Sequence, residues 1–136
     1  MKQIFLLLAL AGCTTVASAQ VDVKFSPIAL LVPAAAVSVE VGLSEAWGID
    51  GDGIIGDGGY LFNLSGKYYL NPEKGIDRFH IGAFAGVVDG DAGLGFLFGY
   101  KVVSVRRILF EAGVGLGRSF SGGFVGYGKL HVGYRF

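Results

Sequence analysis

Residues 60–71, YLFNLSGKYYLN, place Tyr60, Phe62, Leu64, Tyr68 and Leu70 on one face of an extended chain and Asn63, Ser65, Lys67 and Asn71 on the other. That period of two is the signature of a β-strand with two unlike faces. It returns in 92–103, where Leu94, Phe96, Phe98, Tyr100 and Val102 oppose Gly93, Gly95, Gly99 and Lys101. The segment 124–136 repeats it, with Leu130, Val132, Tyr134 and Phe136 opposite Lys129, His131, Gly133 and Arg135. From Val21 onward no stretch carries the i, i+3, i+4, i+7 stripe of an amphipathic helix. The chain must therefore solve its folding problem with strands.

Similar segments run over 21–32, 36–43, 79–88 and 108–120, and 46–55 is the weakest candidate, because Gly and Asp disfavour strands. Turn residues separate them: Pro33, Ser44-Glu45, 56–59, 71–75, 89–91, 104–107 and 121–123. Eight strands joined by seven short connections predict an antiparallel meander. The expected fold class is all-β, an eight-stranded antiparallel up-and-down transmembrane β-barrel. Spanning strands of roughly ten residues fit small barrels of that kind.

Sidedness follows from size and charge. The bulky face carries Phe25, Tyr60, Phe62, Tyr68, Phe79, Phe96, Phe98, Tyr100, Phe110, Phe120, Phe124, Tyr134 and Phe136, and its lone charge in the clear strands is Arg118. The opposite face holds Asp22, Lys24, Glu40, Lys67, Lys101, Glu111, Lys129 and Arg135, both histidines and much of the glycine. An eight-stranded lumen is only wide enough to be filled by side chains. So many aromatic rings cannot enter it, whereas glycine alternating with Lys and Glu can. A charge facing lipid near the midplane costs ~2–4 kcal/mol, which suits a face nearly free of charge. The greasy face should point outward. A soluble lipocalin-like barrel would need a polar, side-chain-rich exterior, and glycine serves poorly there. Buried charges persist when paired, so Glu40 and Glu111, with Lys67, Lys101, Lys129 and Arg135, are candidates for ion pairs in the lumen.

Residues 1–20, MKQIFLLLALAGCTTVASAQ, read as a secretory signal peptide: Lys2, the apolar run Ile4–Ala11, and Ala17-Ser18-Ala19 before the cut. The domain plan is thus 1–19 as signal peptide and 20–136 as barrel. Leu10-Ala11-Gly12-Cys13 is a competing lipoprotein box that would lipidate Cys13. Export follows on either route. The lone cysteine leaves no disulfide framework. Eleven basic against eleven acidic residues give no electrostatic footprint for nucleic acid.

The final strand, KLHVGYRF, with Tyr134 and Phe136 on the lipid face, resembles the C-terminal signal read by the outer-membrane assembly machinery. Together with the glycine-rich alternating body, the chain resembles the eight-stranded OmpA/OmpX-type and opacity-protein-like barrels. Lys24-Phe25-Ser26-Pro27, Val39-Glu40-Val41-Gly42 and Phe110-Glu111-Ala112-Gly113-Val114-Gly115 look like an uncharacterised family of such barrels. The resemblance implies residence in a Gram-negative outer membrane, reached by the general secretory route, as a monomer among outer-membrane lipid. It carries no catalytic residues and no cofactor. The loops at 33–35, 52–59, 89–91 and 121–123, expected outside, are short and rich in Gly and Asp, which argues against adhesion.

The expected role is non-enzymatic and structural, serving envelope integrity with a plugged lumen. Two alternatives stay open: a narrow pore, and a lipid-modifying enzyme built on a His–Ser pair. His80 and His131, both in the periplasmic half, could join Glu111 at a metal, but hydrogen bonding within the lumen is the plainer reading. Asp50, Asp52 and Asp57 resemble part of a calcium loop without its closing Glu, and read more simply as Asp-Gly turns. Arg118, near the outer rim, is expected to meet lipid phosphate or to snorkel.

Overall fold

The computed structural model describes residues 20–136, so the signal-peptide and lipidation readings lie outside the described residues. Eight strands follow in order: β1 (Val21–Phe25), β2 (Ala34–Gly42), β3 (Trp47–Gly56), β4 (Gly59–Tyr69), β5 (Arg78–Val88), β6 (Asp91–Val103), β7 (Ile108–Ser119) and β8 (Phe124–Arg135). Each pairs antiparallel with its sequence neighbour, and β8 returns to β1, closing an up-and-down barrel. Closure leaves the meander without two free edges, which is how a sheet of this length avoids edge-to-edge association.

The register fixes the barrel's shape. Followed from Asp22, the ladders pass through Glu40, Asp50, Ser65, Phe84, Gly95 and Gly117 to Val125 on β8. Yet the β8 residue beside Asp22 is Arg135, ten positions further along. A stagger of ten over eight strands corresponds to strands tilted by about 40°, within the range barrels adopt. The near end of the barrel is where β1 begins and β8 finishes; the far end carries the turns after β3, β5 and β7.

Alternation is kept throughout. Phe62, Phe96 and Tyr134 stand on the outer surface, while Lys67, Lys101 and Glu111 are buried inside. All thirteen aromatics assigned to the bulky face are exposed, from Tyr68 at 37% to Phe124 at 96%. Along the outward strand faces of the described residues, Arg118 is the one charged side chain. Outer aromatics pair at the rims: Trp47 with Tyr68 (4.9 Å between rings), Tyr134 with Phe136 (5.1 Å) and Tyr60 with Phe62 (5.9 Å).

Two sequence readings need correction. The first strand, read as 21–32, ends at Phe25, and Ile28–Leu31 form one 3-10 turn instead. Pro27 sits in the helical region at φ −66° and ψ −26°, and it has no N–H to continue a ladder. The second concerns 46–59. Instead of ending in an outer loop over 52–59, β3 runs to Gly56 and turns through Asp57 and Gly58 alone. Asp50 and Asp52 are therefore strand residues and not turn formers; only Asp57 keeps that part. Their strand is possible because the two acids share one face and find partners inside, while Gly51 and Gly53 take the other. The turn itself depends on Gly59, at φ +126°, where an added Cβ would collide with the Asp89 carboxylate.

Candidate functional site

The inward face is a sealed ionic core. Five cations (Lys24, Lys67, Lys101, Lys129, Arg135) and five anions (Asp22, Glu40, Asp50, Asp52, Glu111) form one buried cluster on the strands, and a sixth buried carboxylate, Asp77, lies in the loop after β4. Equal numbers of each sign let the cluster be neutral with every member ionised, the condition under which charges withstand removal from water.

The six residues singled out from sequence meet in this network, with Lys24 and Asp50 at its centre. Lys24 Nζ lies 2.7 Å from Glu40 Oε2, 2.9 Å from Asp50 Oδ2 and 2.5 Å from Glu111 Oε2. Lys67 donates to the same three carboxylates, at 2.5 Å to Asp50, 3.3 Å to Glu40, and in close contact with Glu111. Lys129 spans Asp50 (2.5 Å) and Asp52 (2.8 Å), with Glu111 at 3.8 Å. Lys101 joins Glu40 (2.6 Å) to Asp22 (2.9 Å), and its ammonium stands 5.0 Å from the centre of the Tyr69 ring. Arg135 grips Asp22 with both Nε (2.7 Å) and Nη2 (2.8 Å), the fork geometry that favours arginine over lysine. These contacts link β1, β2, β3, β4, β6, β7 and β8, so the core clamps strands far apart in sequence.

Several members were missed by sequence reasoning. Asp50 was hidden by its glycine neighbours, although the parity of Gly48, Asp50 and Asp52 against Ile49, Gly51 and Gly53 already put both acids on one face. Ser38 Oγ donates to Asp50 at 2.5 Å. Tyr69 shares the parity of Lys67, yet a run of aromatics masks it; it is fully buried and its hydroxyl donates to Glu40 Oε1 at 2.5 Å. Ile76 had no periodicity to betray it, because it lies in the loop after β4. It is fully buried at the near end.

That loop, residues 70–77, stoppers the near mouth. Arg135 donates to the carbonyls of Lys74 (2.5 Å) and Ile76 (2.9 Å). Gln20 bonds Lys74 and Ile76 on the other side, both at 3.3 Å, and Asp77 caps the loop by accepting from Glu73 and Lys74 N–H groups. Towards the far end the filling turns apolar: Phe84 and Leu97 are buried, and Phe84 meets Tyr127 edge-to-face at 5.0 Å. The gap bounded by Lys67, His80, Glu111, Tyr127 and Lys129 holds only about 10 Å³, and one by Asn63, Phe84, Val125 and Tyr127 about 20 Å³. Each is room for roughly one water.

The histidines do not assemble with Glu111 as a ligand trio. His80 Nε2 lies 3.5 Å from Glu111 Oε1, and His131 is the cross-strand neighbour of Glu111 on β8. The grouping with metal-ligand spacing among the described residues is Glu40, Asp50 and Glu111, whose oxygens lie within 4.8 Å of one another. Lys24 and Lys67 each touch all three, so the chain's own ammonium groups fill the place of a cation there. Arg118 is exposed on β7 near the far rim, and Tyr134 and Phe136 face outward beside β1, with the Phe136 N–H donating to Val21 O at 2.8 Å. Against known proteins, no family model, curated protein or solved structure matches this chain.

Proposed function

We propose that this chain is an integral outer-membrane β-barrel, similar to the OmpA/OmpX-type and opacity-protein-like barrels, with a plugged lumen and a structural, envelope-stabilising role. One observation carries the reading: an outer wall of exposed Val, Ile, Leu and aromatic side chains, interrupted on the strands of the described residues only by Arg118, wrapped around a strand-borne cluster of five buried cations and five buried anions. In water such a wall would be an apolar patch far beyond what monomeric proteins expose. In hydrocarbon it is the required surface, and closure gives each strand a neighbour on both sides, β8 meeting β1 from Val132 to Arg135. Aromatic pairs at both rims suit the two interfaces. Strands of this tilt and length rise about 25 Å, close to the apolar band of outer-membrane barrels.

In this reading the barrel is delivered by the general secretory route, recognised by the assembly machinery through Tyr134 and Phe136, and held as a monomer in Gram-negative outer-membrane lipid. The lumen favours a wall over a pore or an enzyme, because its lysines and Arg135 are each committed to buried carboxylates. The test is membrane fractionation with an unheated-against-heated gel comparison. The proposal expects the protein in the outer-membrane fraction, with a mobility shift that heating abolishes. Recovery in the aqueous periplasmic fraction without detergent would overturn it.

A further inference from the structure

The wall has one breach. β8 is laddered to β7 from Phe124 to Tyr134, but to β1 only from Val132 to Arg135, because β1 stops at Phe25. Successive residues of a strand turn their N–H and C=O groups to opposite sides. Arg135 N–H bonds Arg107 on the β7 side and Phe136 N–H bonds Val21 on the β1 side. Even-numbered residues therefore face β1, and Phe124, Gly126, Gly128 and Leu130 present backbone groups to a side with no strand among the described residues. The 3-10 turn Ile28–Leu31 that follows β1 packs against β2 and buries none of its residues; Leu30 is 72% exposed and Leu31 84%. Side chains flanking the edge stay apolar to the far rim, with Leu116 at 69% and Phe124 at 96% exposure.

An open ladder edge is tolerable in water and costly in hydrocarbon. Resting on the membrane reading above, we propose that residues 26–29 are a strap that, in the bilayer, leaves the turn and extends β1 along the free edge of β8. The register is already set. Continuing the β1–β8 ladder beyond Phe25–Val132 puts Pro27 opposite Leu130 and Ala29 opposite Gly128. Continuing the β1–β2 ladder beyond Phe25–Val37 puts Ile28 opposite Ala34. Four residues, Leu30 to Pro33, remain for the connecting loop, enough for a hairpin. Pro27 lacks an N–H, but its carbonyl can accept from Leu130. Ala29 both gives to and accepts from Gly128, where an added Cβ would meet no atom within 4 Å, so nothing blocks the approach. Phe124 and Gly126 stay uncovered at the rim, where water and lipid headgroups reach them. The strap is thus a lateral closure: turned out, it leaves the Phe124–Leu130 edge of β8 without a neighbour; laid in, it seals the wall.

A cysteine pair tests this. In a Cys13→Ser background, Ala29→Cys with Gly128→Cys places the two Cα atoms about 5.5 Å apart in the closed wall, within disulfide reach. Ala29→Cys with Gly126→Cys is the control, one ladder step out of register. After mild oxidation in native outer membranes, the first pair should cross-link in most molecules and the second in few. Hydrogen exchange in lipid vesicles should show the Gly128 and Leu130 amides slowed roughly a hundredfold relative to Gly122 in the neighbouring turn. Absence of the 29–128 cross-link, or fast exchange at both amides, would overturn the strap. The heat-dependent gel shift of the same samples reports barrel insertion independently, so a failed strap and a failed membrane reading are told apart.

Discussion

A buried carboxylate held by three ammonium groups is a different object from a surface salt bridge. Glu111 is contacted by Lys24, Lys67 and, more distantly, Lys129, and none of these groups reaches bulk water. Removing one charge leaves its partners uncompensated, and breaking a buried pair in this way costs about 3–5 kcal/mol. Glu111→Gln should therefore lower the urea midpoint of vesicle-refolded protein by an amount corresponding to that loss. Adding Lys67→Met should recover part of it, because the double variant is neutral again. A double variant as weak as the sum of its singles would show that neutrality is not what holds the core. Glycine supplies the second residue-scale constraint. A Cβ at Gly95 would overlap Gly117 Cα and the Leu116 carbonyl on β7, both backbone that cannot rotate away. Gly95→Val should cost about 1–3 kcal/mol by overpacking, against almost nothing for Gly58→Ala, whose Cβ meets no atom. Urea titrations of the two variants side by side check the contrast.

At the scale of the element, legibility depended on whether a residue's partner lay near in sequence. β4, β6 and β8 could be read from parity because each alternates strongly on its own. β3 was weak by propensity, since Asp and Gly are poor strand formers alone; what makes it a strand is Lys24, Lys67 and Lys129 waiting across the lumen for Asp50 and Asp52. No local pattern carries that information. The opposite error occurred in β1, where an apolar run after Pro27 suggested more strand than forms. The inward face of charges was legible, but who pairs with whom was not, because register and stagger decide it. The near-mouth loop was illegible for a similar reason: Ile76 is held through Arg135, fifty-nine residues away. That link predicts a local effect. In detergent-folded protein, trypsin should cut slowly after Lys74, whose carbonyl is tied to Arg135 and Gln20. Arg135→Gln should speed that cut severalfold while the barrel keeps its heat-dependent mobility. An unchanged cleavage rate would mean that the loop holds itself.

For the whole molecule, strand number and stagger set the radius, and the radius decides what the interior can be. Eight strands leave a lumen that side chains fill, and this chain fills it in two layers. Ion pairs and the Ile76 loop occupy the near half, while Phe84, Leu97 and Tyr127 occupy the far half. An ion crossing it would have to displace Lys24 and Lys67 from three carboxylates at once, and the gap beside Lys67, Glu111 and Lys129 holds about one water. Wild-type protein in planar bilayers should therefore show no ohmic conductance steps at moderate voltage. Glu40→Ala with Lys101→Ala removes one linked pair between the cluster and Asp22 without changing net charge, and shortens two fully buried side chains of the lumen. That variant should show brief, cation- and anion-permeable openings if packing is what blocks the path. Steady conductance from the wild type would instead mean that the ionic core rearranges easily, and the plugged interior would have to be given up in favour of a pore.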